Sequence, residues 1–482
     1  MAKIPPKAPL IVVLGPTGSG KSKLAVELAT KFNGEIINAD AMQMYSGLPI
    51  LTNKIHEAER NGISHHLLDQ IELHEKPWTV HNFVSESSRI IGQVRERGKL
   101  PVVVGGTNFY VYSLLFKGAL LNGVSDDSEN GNESGSDTET AEEDVDNGAL
   151  IDGQKQSDLT ILEGPTEAIY AKLLEVDPEA AKTWHPKDRR KVQRALEIWL
   201  QSGQKASEIY AAQKARKETS PSEGGSHLRY DPLIFWLNAE SKTLQTRLDA
   251  RVDTMVEQGM LEEVQAMRKM EKQVKFDGLE VDMTKGIWVA IGYKQFWSWL
   301  DMQECQDHEK GMVQDDFVSK ALEEGLDLVK IATRQYANTQ NRWIRRRLAK
   351  ALKAANVMDR MFLLDSTNLQ NWTESVFMPS SQIVDCFIAG EALPANHAMS
   401  ELATRTFTQM KEQKGLIRQT HVCETCNTVL MNDQEWQVHL KSRRHQKVLA
   451  GFRKRSKRDE YFSRQETGVA TTFARSEDGV AG

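Results

Sequence analysis

The chain has 482 residues, 40% of them hydrophobic and 27% charged, with four cysteines and a formal net charge of −6. This balance predicts a globular protein of several units. No apolar stretch approaches the ~20 residues of a membrane span, and four cysteines are too few for a disulfide scaffold.

The first residues, MAKIPPKAPLIVV, show neither a secretory apolar core nor an Arg/Ser-rich transit segment, so a cytoplasmic setting is expected, with nuclear or mitochondrial pools left open. Residues 10–15 form an apolar run closing on glycine, as buried parallel strands do. The run leads into Gly15-Pro-Thr-Gly-Ser-Gly-Lys21-Ser22, a full G-x-x-x-x-G-K-[ST] match, and then into a helix-like pattern. Strand, glycine turn and helix make a phosphate cradle. Its candidate ligands are Gly15, Thr17, Gly18, Ser19, Gly20, Lys21 and Ser22. The loop N–H groups converge on anionic oxygens, Lys21 reaches the terminal phosphates and Ser22 sits on Mg²⁺. Read alone, the cradle does not choose a reaction.

EIINAD (35–40), PVVVGG (101–106) and PLIFWL (232–237) are further strand candidates with helical patterns between them, which predicts a P-loop NTPase-like α/β fold with a parallel sheet. No apolar strand ending in a magnesium-binding aspartate stands out; Asp40 opens a polar segment instead. Residues 126–146 hold ten acids and no base, so the remainder of the chain is net basic at +4.

The expected organisation is a first part of the core at 8–121, an acidic disordered insert at 122–164 and a helical insertion at 165–230. The core continues with a basic helix at 231–385, followed by a linker at 386–420, a zinc finger at 421–447 and a basic then polar tail at 448–482. In the helical region Val192, Leu196, Trp199 and Leu200 form one stripe, with Arg190, Arg194 and Glu197 opposite. Residues 242–270 read as one or two amphipathic helices, and 330–353 as a helix with eight Lys/Arg and no acid.

Cys423-x₂-Cys426-x₁₂-His439-x₅-His445 is a complete two-Cys, two-His spacing. Four ligands leave no vacancy, so a structural Zn²⁺ is expected, with Leu430 and Trp436 as the finger's small apolar core. No acid occurs between 440 and 458, a stretch that suits nucleic-acid phosphates; its RKRSKR (453–458) also reads as a nuclear import signal, or as a solvated tail.

Six ordered motifs join the P-loop: NADAMQMYSGLPILTNK (38–54), GISHHLLD (62–69), VVVGGTNFYVYSLL (102–115), DRRKVQRALEIW (188–199), RVDTMVEQGMLEEV (251–264) and GIWVAIGYKQFWSWL (286–300). Together they resemble tRNA dimethylallyltransferases over about 10–365, and the zinc module resembles the eukaryotic branch. The resemblance implies transfer of a dimethylallyl group from dimethylallyl diphosphate to the exocyclic amine of the adenosine 3′ of the tRNA anticodon. It implies Asp40 as general base, Thr107 near the bridging oxygen of the leaving group, and Gln43 reading the flipped adenine. It assigns Arg190, Arg194, Lys294, Arg334, Gln340 and Arg342 to tRNA. The expected partners are tRNA and the prenyl diphosphate, with no membrane, and the expected form is a monomer.

Some features have a plainer reading. Asp40 alone reads as a cap or turn aspartate, Thr107 as a helix cap, His65 and His66 as loop packing, and the stripe in 251–264 as core. The sequence also departs from the family pattern. Asn338-Thr339 replaces a usual Lys-Arg pair, Trp288–Ile291 lacks the arginine of bacterial members, and Ser64 replaces a proline. Two other reaction classes use the same cradle: prenyl transfer to free AMP, ADP or ATP, and an ATP-dependent kinase or ATPase. The ordered motifs disfavour the kinase, and the finger and basic helix favour tRNA over a free nucleotide.

Overall fold

The computed structural model describes residues 4–117, 160–219, 228–276, 282, 285–308, 315–412, 418–426 and 428–452. The acidic run 126–146 and the RKRSKR segment lie outside these residues. The chain divides into two compact units. Described residues 4–117 and 228–412 form one; 160–219 and 418–452 form the other.

The first unit is built on six parallel strands: β1 (Pro9–Leu14), β2 (Gly34–Asn38), β3 (His65–His66), β4 (Leu100–Val104), β5 (Asp231–Asn238) and β6 (Met361–Asp365), in the order β3-β2-β4-β1-β5-β6. Four of them are the expected strands. β3 and β6 are additional; β3 is only two residues long and pairs Ile36 with His65 and Ile37 with His66. The sheet is covered on both faces, as a parallel sheet must be. Successive side chains of β1 alternate: Leu10, Val12 and Leu14 enter one core cluster, Ile11 and Val13 the other.

Helix α1 (Lys21–Lys31) leaves the P-loop with no side chain capping its start, so its first N–H groups remain available to an anion. Helix α2 (Val80–Glu96) starts in a capping box between Thr79 and Asn82. Helix α3 (Asn108–Leu115) follows the Gly105-Gly106-Thr107 turn at the end of β4. Just beyond it, Phe116 forms an antiparallel bridge with Leu228, and the Arg229 N–H donates to the Leu115 carbonyl at 2.8 Å.

The second unit contains helices α4 (Thr166–Val176), α5 (Pro178–Thr183), α6 (Arg189–Ser202) and α7 (Ala206–Thr219), around a core that includes Ile169, Leu173, Trp184, Val192 and Leu196. Asp177 is buried and accepts from the N–H groups of Ala180 and Ser207, fastening the starts of α5 and α7. The same unit holds a ββα module: β7 (Arg418–Cys423), β8 (Thr428–Asn432) and a later helix over Asp433–Lys441. His185 Nε2 donates to the Val429 carbonyl at 3.2 Å, joining the helices to the module.

Back in the first unit, the 242–270 region is two helices, α8 (Ser241–Glu257) and α9 (Met260–Phe276), separated at Gly259. Helix α10 (Trp297–His308) follows. The basic helix is longer than expected. It is the end of α11 (Asp315–Trp343), which passes through a π-helical turn at Ile344–Leu348 into α12 (Ala349–Ala354). Two ion pairs, Lys330–Asp253 and Arg334–Asp249, join α11 to α8.

The expected linker at 386–420 is a correction. It contains the end of α13 (Met378–Ala389) and all of α14 (Glu401–Glu412), whose Leu402, Ala403 and Phe407 are buried in the sheet core. Their helical spacing gives α14 an apolar face, so 401–412 belongs to the core of the sheet unit.

Candidate active site

The carboxyl ends of parallel strands are where α/β sheets place ligand sites. Here β1, β2 and β4 deliver the P-loop, the Ala39–Asp40 turn and the Gly105–Thr107 turn to one place. The turns fit because Gly105 has no side chain: a Cβ there would lie 2.1 Å from the Ala39 carbonyl oxygen. Ala39 accepts from the Thr107 N–H at 3.2 Å and donates to the Val104 carbonyl at 2.8 Å. Asn38, at the end of β2, donates to the Leu67 carbonyl at 2.9 Å and accepts from the Asp40 N–H at 3.1 Å. The base of the site is therefore a rigid, fully bonded strand end.

Thr17, Gly18, Gly20, Lys21, Ser22, Asp40, Gln43 and Thr107 all line one cavity of about 430 Å³. Gly15 and Ser19 lie behind that wall, both buried. Lys21 donates through Nζ to the Pro16 carbonyl at 2.9 Å. Burial lowers its pKa to about 8, opposed by Asp40 and reinforced by Arg251. Burial raises the Asp40 carboxyl above its ordinary value, while Lys21, the Met42 and Gln43 N–H groups and Arg251 pull it back.

Arg251 is the residue that the sequence did not single out. It sits on α8, lines the cavity and donates through Nη1 to the Thr17 hydroxyl at 2.9 Å. Burial lowers its pKa to about 10, with Asp40 raising it. Arg247, one turn earlier, donates to the Gly18 carbonyl at 3.2 Å and to the Ser366 carbonyl at 3.0 Å, tying the P-loop to the turn after β6. Lys21 and Arg251 thus stand against one carboxylate, and the cavity carries a surplus positive charge suited to a multivalent anion. The same cavity has an apolar wall that includes Leu51, Val252, Met255, Ile291 and Val329.

The cavity also explains the motif at 286–300. Val289, Ala290 and Ile291 line it as apolar groups, which fits the absence of an arginine there. Lys294 is half-buried and is not among the lining residues. His65 and His66 form β3, where His66 Nε2 meets Glu35 Oε2 at 2.7 Å; neither lines the cavity. Glu35 is buried and also pairs with Arg97 and Lys99, which hold its carboxyl down at about 2 despite burial.

The tRNA assignment of Gln340 is corrected by its surroundings. Gln340 is 3% exposed and spends both ends of its amide on the protein itself. Arg334 pairs with Asp249, whereas Arg342 and Asn338 are exposed on the same helix. In the second unit Arg190 is exposed and Arg194 pairs with Glu197 at 3.0 Å.

Cys423, Cys426, His439 and His445 bring their ligand atoms within 4.8 Å of one another. His445 Nδ1 lies 3.5 Å from Cys423 Sγ and 3.3 Å from Cys426 Sγ. His439 Nε2 is buried with no hydrogen-bond partner, the signature of an atom that needs a metal. Trp436 stacks on His439 with ring centroids 6.1 Å apart, as its expected core role requires. The four residues fit a structural metal.

The family model described as IPP transferase matches residues 43–347. The chain belongs to this family. It is similar to the tRNA dimethylallyltransferase of Schizosaccharomyces pombe, at 33% identity over 93% of this chain and 97% of the relative. It is similar to the Homo sapiens tRNA dimethylallyltransferase at 32% identity, over 91% of this chain and 85% of the relative. Its fold matches a solved structure of a eukaryotic dimethylallyltransferase acting on tRNA, with a TM-score of 0.71 and 30% identity, over 95% of this chain and 100% of that one. Among the described residues no helix is long and apolar enough to cross a membrane.

Proposed function

We propose that this chain transfers a dimethylallyl group from dimethylallyl diphosphate to the exocyclic amine of the adenosine 3′ of a tRNA anticodon, releasing diphosphate. The observation that carries this reading is a single cavity that joins a cationic glycine cradle, a carboxylate and an apolar wall. A nucleotide kinase has no need of the apolar wall; a prenyl donor needs all three.

The diphosphate rests on the N–H groups at the start of α1, with Lys21 and Arg251 neutralising it, and the five-carbon chain lies on Leu51, Val252 and Met255. The adenine nitrogen forms a bond to C1 of the prenyl chain as the C1–O bond breaks, and that electron pair leaves with diphosphate. Asp40 takes the nitrogen's proton, so an amine whose lone pair is delocalised becomes a competent nucleophile. Thr107 Oγ1 accepts from the Ala41 N–H at 3.0 Å, which leaves the hydroxyl proton to donate to the bridging oxygen. Gln43 gives its NH₂ to the carbonyls of Thr52 and Asn53, and its amide oxygen accepts from the flipped adenine.

The Ser22 hydroxyl, a hard oxygen donor lining the same cavity, would hold Mg²⁺, and the ion would neutralise charge on the departing diphosphate. The Cys₂His₂ group would hold a structural Zn²⁺. Arg190 and Arg342 are exposed and would meet tRNA phosphates; Arg194 and Arg334, now paired with Glu197 and Asp249, and the half-buried Lys294 are weaker candidates.

The test is direct. Purified protein is incubated with labelled dimethylallyl diphosphate and either unmodified tRNA, AMP or ATP. Label in the anticodon loop alone is expected. Label in AMP but not tRNA, or consumption of ATP alone, overturns the proposal.

A further inference from the structure

Gln340 lies on α11 and is almost wholly buried, and both ends of its amide bond to loops outside that helix. Its amide oxygen accepts from the Thr17 N–H at 2.8 Å, and its NH₂ donates to the Gly106 carbonyl at 3.0 Å. Its own backbone carbonyl accepts from Asn108 Nδ2 at 3.2 Å. Thr17 belongs to the anion cradle; Gly106 and Asn108 flank Thr107. The next residue continues the pattern: Asn341 accepts from Trp236 Nε1 at 3.1 Å and donates to Asn238 Oδ1 at 2.9 Å, both at the end of β5.

We propose that Gln340 is a positioning residue that fixes the spacing between the diphosphate cradle and the Gly106–Thr107 turn. This rests on the transferase reading above. The P-loop and the β4 turn are separate loops from separate strands, and both must hold the leaving group at once. The P-loop grips the diphosphate, while Thr107 reaches its bridging oxygen and Asp40 waits on the other side of the bond. A displacement of about 1 Å between such groups is enough to cost on the order of 100-fold in rate. Gln340 bonds directly to both loops, and an amide suits this job, because one loop offers a donor and the other an acceptor.

Gln340→Glu keeps the shape and the bond from the Thr17 N–H but turns an oxygen toward the Gly106 carbonyl. Gln340→Met keeps the length and removes both bonds without burying a charge. With the full-length protein and unmodified tRNA, the expected result is a loss in kcat on the order of 100-fold for both variants, with KM for tRNA and for the prenyl diphosphate unchanged. The Glu variant carries a second signature. A neutral acid can donate to Gly106 again, so its rate relative to wild type rises as pH falls. The Met variant's ratio stays flat. The nearby titrating groups, Asp40, Lys21, Arg251 and Tyr336, cancel in the Met variant's ratio, because that variant adds no charge; in the Glu variant the new carboxylate also raises the pKa of Lys21 and Asp40, so the acid-side rise is read against the flat Met ratio. If the Glu variant does not fold, the kcat and KM of the Met variant decide the matter. A raised KM for tRNA at unchanged kcat would mean a substrate contact, and unchanged kcat and KM would mean no role; either overturns the proposal. Failure of the wild-type enzyme to prenylate tRNA would instead overturn the underlying transferase reading.

Discussion

Arg251 and Thr17 lie 234 positions apart, and the guanidinium donates to the threonine hydroxyl at 2.9 Å. The contact brings a second cation to the mouth of the P-loop, beside Lys21 and within the field of Asp40. Arg251→Ala removes that charge where the leaving group develops its own. The expected effect is a fall of ~10²–10³ in kcat/KM for dimethylallyl diphosphate. Steady-state kinetics with tRNA held saturating checks this, and a change of less than tenfold would place Arg251 outside the reaction.

Asp40→Asn keeps the turn at the end of β2 but cannot accept the amine proton. Single-turnover prenyl transfer should fall by ~10²–10⁴. Inorganic diphosphate should still bind, because the variant removes a negative charge from an anion site; calorimetry measures this directly.

The pH profile of kcat/KM follows from the same groups. Asp40 acts deprotonated, and its pKa is raised by burial, so the acid limb lies above the ordinary carboxylate value of 3.8. Lys21 is charged below about 8 and neutral above it, so diphosphate capture weakens as pH rises through that value. Arg251, at about 10, keeps its charge across this range. Lys21→Arg should move the basic limb upward, and a limb left at the same pH would assign it to another group.

Gly20 starts α1 at φ +92°, and a Cβ on it would lie 2.7 Å from the Trp372 ring. Trp372 is held in place by its indole N–H, which donates to Glu27 at 2.8 Å. Gly20→Ala therefore meets both backbone strain and a buried ring. A loss of about 1–3 kcal/mol in stability is expected, measured by denaturant titration, together with weaker diphosphate binding.

Metal analysis should return one zinc per chain. Cys426→Ser or a chelator should release it, unfold the ββα module and lower tRNA affinity with a shallower salt dependence. The melting transition of the sheet unit should stay in place. Unchanged tRNA affinity after zinc loss would remove the module from RNA binding.

Much of the site was legible because its signals are local. The P-loop is eight consecutive residues, Asp40 and Gln43 share one motif, and the four metal ligands follow a fixed spacing. Arg251 was hidden because an arginine on an amphipathic helix reads as a solvated face; its burial depends on where α8 lands. Gln340, which the resemblance assigned to tRNA, is buried because its amide meets two loops from distant strands, contacts that the pattern of one helix does not encode. β3 escaped because two residues carry no periodicity. The 386–420 segment looked like a linker because of Pro394 and the polar residues around it, although Leu402, Ala403 and Phe407 already had helical spacing. That 160–219 and 418–452 share one compact unit depends on contacts across more than two hundred residues, which no local pattern encodes.

Through the bridge between Phe116 and Leu228 the chain returns to the sheet unit where it left it, and the helices of 160–219 lie on the branch of sequence between. The chain departs and returns at neighbouring points, so the strand register on either side is indifferent to how many residues hang there. Lengthening, shortening or exchanging that branch is a change of attachment rather than of architecture. It is the place where this fold can take up a different insertion while the sheet and its strand order stay the same.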